Sequence, residues 1–243
     1  ATENVTINNS QVSAYDEGTF LEGTYKKEDK QAYRTGRIKF GTESNGGFKN
    51  IAISNCVFSY CHGLALETVD GGLLEDVTIS NITMRDIISA PIFLRLGARM
   101  RGPQGTPVGE LRRVSISDIR VYNADADQSC VITGIPGHDI SDLQLNNIRI
   151  YYKGGGTTAK ALKQVPEMEK DYPEPSMFGI MPAYGFYIRH VDGLKLRDVE
   201  VSYQDDDSRP AFILDDVKGA DMHPVKGPVV QGAEEIRYIN TKH

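Results

Sequence analysis

Two adjacent carboxylates, Asp16 and Glu17 in the segment Tyr15-Asp16-Glu17-Gly18, open the set of residues that could do chemistry. Paired carboxylates are the equipment of an inverting glycosidase, in which one protonates the leaving oxygen and another activates water. Neighbours in a strand point to opposite faces, so both can serve one site only from a kinked turn. A solvated turn is the commoner use of such a dipeptide. Positive charge comes from Arg37, Lys39, Arg95 and Arg189. An arginine fork matches a carboxylate bidentately, so these side chains suit an acidic sugar. Glu67 and Tyr187 share their spacing within strand-like segments, and Glu43 stands in a turn just after one. His62 follows Cys61 in a turn and His190 ends a strand beside Arg189, where each serves structure as readily as substrate contact.

These residues need a scaffold, and a six-residue phrase repeated seven times supplies it. The phrase reads Asn4-Val5-Thr6-Ile7-Asn8-Asn9, Asn50-Ile51-Ala52-Ile53-Ser54-Asn55 and Asp76-Val77-Thr78-Ile79-Ser80-Asn81. RVSISD from Arg113, DLQLNN from Asp142 and GLKLRD from Gly193 follow, and a worn copy, EIRYIN from Glu235, closes the series. Alternation at period two marks a strand buried on one face. The Asn or Asp in sixth position predicts a turn in which the side chain bonds its own backbone. The step from position 50 to 76 suits one turn of a parallel β-helix, and the longer steps suit that turn plus insertions. Such a unit buries its apolar face only by stacking on its neighbours. The spacing is too irregular for ankyrin, leucine-rich or propeller arrays. The fold predicted is an all-β, right-handed parallel β-helix, a solenoid with long loop insertions.

After each phrase a second strand of the same coil is predicted: 18–23, 36–41, 63–68, 91–96 and 185–190. With Leu21, Ile38, Phe40, Leu64, Leu66, Ile92 and Leu94 facing inward, alternation turns Glu22, Arg37, Lys39, Glu67, Arg95, Tyr187 and Arg189 outward. Rungs about 4.8 Å apart would then align Glu22, Lys39, Glu67 and Arg95 in a ladder of alternating charge. It is either a register-keeping set of ion pairs or the floor of a cleft for a charged sugar.

The 243 residues suit a single domain over 1–243, with 40% hydrophobic and 25% charged residues. The net charge of −6 disfavours a nucleic-acid partner. No apolar run approaches the roughly 18 residues of a membrane span, so no membrane partner is expected. Cys56, Cys61 and Cys130 lack metal-site spacing and read as buried free thiols. Residues 24–35 are a charged loop, and 97–110 are rich in Gly and Pro. Residues 153–184 form a cleft-wall insertion, and 219–243 a terminal coil and tail. The chain opens on a repeat with no cap, which predicts N-terminal coils upstream of it. It shows no signal-peptide pattern at the start, so an export signal would also lie outside this chain.

The phrases, the Tyr15–Gly18 turn, Gly63–Thr68 followed by Gly71-Gly72, and Ile79–Met84 with Pro91-Ile92 resemble glycoside hydrolase family 28 over roughly residues 1–97. Residues 166–190, with YPEP, MFG and PAYGFYIRHV, look like the cleft loop of bacterial members. The resemblance implies an inverting hydrolase of α-linked galacturonic acid or rhamnogalacturonan. It implies a secreted or periplasmic protein that needs no metal or other cofactor and has a pectic polysaccharide or oligosaccharide as its partner. Asp16 and Glu17 stand for the family's double Asp, with one conservative change. The family's Asn-Thr-Asp turn is not in this chain. Arg37-Ile38-Lys39 and His62-Gly63 occur in the reverse of the family's order; counting coils sets Arg37 at the place of Gly-His-Gly, and Ala65 with Glu67 at that of Arg-Ile-Lys. Two other readings remain open: a silent β-helix that binds acidic glycans, and a calcium-dependent lyase, for which Asp205-Asp206-Asp207 is the one dense acidic run.

Overall fold

The computed structural model of the chain describes residues 1–17, 22–24, 26–27 and 36–241, with Tyr15–Glu17 and Lys27 as backbone. In chain order the strands are β1 (Thr2–Asn8), β2 (Gln11–Ser13), β3 (Tyr15–Glu17), β4 (Lys26–Lys27), β5 (Ile38–Phe40) and β6 (Phe48–Ser59). Next come β7 (Leu64–Thr68), β8 (Leu73–Arg85), β9 (Ile92–Leu96), β10 (Glu110–Ala124), β11 (Cys130–Thr133) and β12 (Ile140–Gly154). The series ends with β13 (Phe186–Asp205), β14 (Phe212–Lys218), β15 (Asp221–Met222), β16 (Val225–Lys226) and β17 (Ile236–Ile239). The protein is all-β; among the described residues the one α-helix is the single turn α1 (Thr158–Ala161).

Fifteen strands form one curled, parallel sheet. It rises through β1, β6, β8, β10 and β12, then returns through β11, β9, β7 and β5. The 20-residue β13 joins the two runs, since its start pairs with β11 and its later part with β12. The sheet thereby curls around one core. Ile7, Ile53, Ile79, Ile116, Leu145 and Leu196 stand in register in a single column, as the phrases predict. From Ile53 onward each of them is at most 1% exposed, and burial of such a side chain contributes roughly 1.5–3 kcal/mol.

The sixth-position Asn and Asp residues differ from expectation in an informative way. Asn9 and Asn240 follow the ends of β1 and β17, but the other five do not end a strand. Asn55, Asn81, Asp118, Asn147 and Asp198 take φ values of 52–56° in the middle of long strands. That left-handed region is disfavoured for most side chains, while Asn and Asp tolerate it. Each residue makes a one-residue corner, and the alternation resumes beyond it with Cys56 and Phe58, Ile82 and Met84, and Ile119 and Val121 facing the core. The side chains bond across rungs rather than to their own backbone: Asn81 Nδ2 donates to Asn55 Oδ1 at 2.6 Å, and Asn147 Nδ2 to Asp118 Oδ1 at 2.7 Å. The last phrase also moves. Glu235–Asn240 contributes β17, which pairs with β14 in the returning run, while β15 continues the phrase column through Leu196↔Met222.

The returning run carries the predicted second strands. In them Lys39, Ala65, Phe93, Val131, Tyr187 and Ile213 form one outward column, and Glu67, Arg95, Thr133, Arg189 and Asp215 the next. This face is not bare. Residues 155–185 fold back across it, and Phe178, Met181 and Ala183 pack on Ala65, Phe93, Val131, Tyr187 and Ile213 as a second apolar cluster.

Candidate functional site

The insertion decides what each outward residue can do. Arg95 is 1% exposed, with Nη1 donating to Thr133 Oγ1 and Gly134 O, and Nη2 to the carbonyls of Glu167 and Met168, at 2.9–3.1 Å. Burial, then the like charge of Arg189, draws Arg95 down to about 10. Arg189 is 3% exposed and donates to the carbonyls of Val165 and Pro166 at 2.7 and 2.8 Å. Both forks therefore anchor the insertion instead of facing a uronate. Tyr187 is buried beneath the same segment, its hydroxyl donating to Asp215 at 3.1 Å. His190, also buried, lies between Asp216 at 2.7 Å and Glu167 at 3.2 Å. These four residues, expected to contact substrate, hold the cover on the sheet.

The charge ladder is correspondingly shorter than predicted. Glu67 and Arg95 are register partners, but Lys39 stands opposite Ala65 and reaches Glu67 diagonally, with Nζ 3.2 Å from Oε2. Glu22 lies exposed in a turn rather than a strand, and 18–21 fall outside the described residues. Glu67 is fully buried, with the Lys39 ammonium as its charged neighbour and Oε1 without a hydrogen-bond partner. Burial, opposed by Lys39, lifts its carboxyl to about 7. Tyr172 closes this spot from above: its hydroxyl bonds Thr42 Oγ1 at 2.9 Å and its ring lies 4.9 Å from Lys39 Nζ. Glu43, largely exposed, touches Arg99 at 3.4 Å, while the main partner of Arg99 is the buried Asp70.

At one edge of the insertion the surface opens into a cleft of about 570 Å³. Arg37 and His62, which the sequence singles out, line it together with Asp125, Asp127, Gln128 and Glu174. Arg37 holds Glu174 by a two-pronged fork, Nη1 to Oε2 at 3.0 Å and Nη2 to Oε1 at 2.9 Å. His62 Nδ1 touches the same Nη2 and lies 3.5 Å from Glu174 Oε1. Burial acts to raise the Glu174 carboxyl, but hydrogen bonds and charge from His62 and Arg37 outweigh it and hold the group at about 2. Asp127 receives Lys160 Nζ at 2.6 Å, and Asp125 accepts the backbone N–H of Asp127 at 2.8 Å. Asp125, Asp127 and Glu174 are absent from the sequence-predicted set. The YPEP segment drew notice as a motif, but nothing in its spacing marks Glu174 as the partner of a residue 137 positions away.

Asp16 and Glu17 lie in β3, which pairs antiparallel with β4 and slips register between Tyr15 and Glu17. Their side chains fall outside the described residues. The backbone just before them lies against Gly36, the neighbour of Arg37, where a side chain in place of the glycine hydrogen would come 2.3 Å from Ser13 O. The chain leading into β3 is thus pressed against the chain leading to Arg37 and β5. The acidic run offers no calcium site at Asp207, whose carboxylate takes Arg209 Nε at 2.9 Å and Nη2 at 2.6 Å in full burial. The three cysteines are free and buried.

Protein-family models, curated proteins and solved structures yield no match to this chain. The resemblance to glycoside hydrolase family 28 therefore rests on the motifs alone.

Proposed function

We propose that this protein is a hydrolase of pectic polysaccharide, built on a right-handed parallel β-helix of the glycoside hydrolase family 28 type and exported to meet its substrate. The observation that carries the reading is the cleft in which the Arg37 fork and His62 already grip a carboxylate. A uronate offers the same group, and a bidentate arginine pair gives planar, directional recognition that a neutral sugar cannot use. Asp16 is the proposed proton donor or water-activating carboxylate, with Glu17 beside it. Its support is that Ser13 and Ala14, just upstream of Asp16, lie against Gly36, the residue before Arg37. In an inverting site the partner carboxyl stands about 6.5–9.5 Å away, leaving room for a water.

The test is release of reducing ends from polygalacturonan and rhamnogalacturonan without added calcium. Asp16→Asn keeps shape and removes the proton chemistry, so turnover should drop about 10²–10⁴-fold. Unchanged turnover would remove Asp16 from the mechanism. One observation favours a silent glycan-binding module instead: Glu174 at about 2 stays ionised at neutral pH, and Glu67, the carboxyl near 7, is sealed from solvent. Glycan binding by the wild type with no turnover would select that second reading.

A further inference from the structure

Glu174 reaches Arg37 from the insertion, and its side chain is 24% exposed along the cleft. Its neighbours Pro173 and Pro175 are both buried, which pins the backbone on either side of it. An exchange at the fork would therefore need only the Glu174 side chain to turn about its χ angles, with the segment in place. The Arg37 fork cannot be left empty at little cost, because a largely buried guanidinium without a partner is strongly destabilising. A fork of this kind is filled either by an internal carboxylate or by that of a ligand.

We infer that Glu174 is an internal stand-in for the ligand: it fills the Arg37–His62 clasp in the free protein, and the carboxylate of an acidic sugar enters by displacing it. The inference rests on the reading that this cleft takes acidic glycan, and it adds a mechanism of competition and selectivity. One carboxylate exchanges for another of the same charge and geometry, so the clasp is satisfied before and after binding. A neutral sugar cannot make that exchange and gains nothing from Glu174 leaving. The cleft volume lies within the range of about 300–1,000 Å³ that small-ligand sites occupy. Glu174 remains a carboxylate down to about pH 2, so the competition operates throughout the neutral and mildly acidic range.

The experiment is calorimetric titration of wild type and Glu174→Gln with trigalacturonate, and with galactotriose as the neutral probe. Removing the competing charge should tighten trigalacturonate binding about tenfold, the equivalent of one modest charge-assisted bond, and leave galactotriose unchanged. The gain should vanish in the Arg37→Ala, Glu174→Gln double variant. Carbon-13 NMR of the glutamate carboxyls in the wild type covers the case of a Glu174→Gln protein that folds poorly. The Glu174 resonance should move as trigalacturonate is added and stay still with galactotriose. Trigalacturonate bound by the wild type with no gain in Glu174→Gln and a stationary Glu174 resonance would overturn the inference and leave the glycan-binding reading standing. No binding by either protein would overturn both.

Discussion

Glu67 and Glu174 show how far one residue type can be driven in opposite directions within a single face. Glu67 is fully buried with only the Lys39 ammonium to offset the loss of water, and is raised to about 7. Glu174, gripped by Arg37 and His62, is held at about 2. The consequences for stability have opposite signs. A folded-state carboxyl raised from 4.5 binds more protons than the unfolded chain between about pH 4.5 and 7, so its contribution is full below that window and lost as pH rises through it. The Glu174 contribution is present above 4.5 and lost as pH falls toward 2. Denaturant melts from pH 5 to 8 should therefore show wild-type stability falling, and Glu67→Gln should flatten the slope and gain roughly 1–3 kcal/mol at pH 8. A slope untouched by the substitution would mean that Glu67 is not the group responsible. At this scale the sequence was only partly legible. Arg37 is legible as a carboxylate-binding cation and His62 as a turn residue or substrate contact in the next coil, whereas Glu174 is not, because its role arises from a contact across 137 residues.

At the scale of elements, the insertion folded over the returning strands changes the meaning of the outward stripe. Alternation correctly assigned Lys39, Glu67, Arg95, Tyr187 and Arg189 to the outer face. It could not tell that Phe178, Met181 and Ala183 would cover much of that face. In the structure Phe93 and Val131 stand on the outer side of their rungs, where an apolar residue needs something to pack against. Arg95 is then an anchor, and Arg95→Ala leaves the carbonyls of Gly134, Glu167 and Met168 short of donors. Each buried polar group left unpaired costs about 1–3 kcal/mol. The insertion should loosen, and limited proteolysis should cut within 155–175 at least ten times faster than in wild type while the sheet resists. A digestion pattern identical to wild type would contradict the anchoring role. The corners teach a related lesson. Asn55 and Asn81 mark a bend in the sequence, yet only the left-handed φ and the rung-to-rung bonds show that the strand carries on beyond it.

For the whole molecule, the phrase column was the most legible feature because it depends only on period-two alternation and stacking, both local in sequence and repeated. Its energetics should follow position. Ile116, packed between Ile79 and Leu145, has neighbours on both sides, whereas Ile7 pairs with Ile53 alone among the described residues. Ile116→Ala should cost about 2–5 kcal/mol by chemical denaturation, and Ile7→Ala clearly less; equal losses would argue against a stack whose rungs support one another in sequence. The proposed function depends at this scale on what the cover leaves open, the cleft at Arg37 and His62. A crystal structure of the protein soaked with trigalacturonate tests that claim most directly. The account predicts a galacturonate carboxylate in the Arg37 fork beside His62, with the Glu174 side chain turned away. Trigalacturonate seated elsewhere, such as the groove lined by Leu162, Ile213 and Arg237, with the Arg37–Glu174 pair intact, would contradict it.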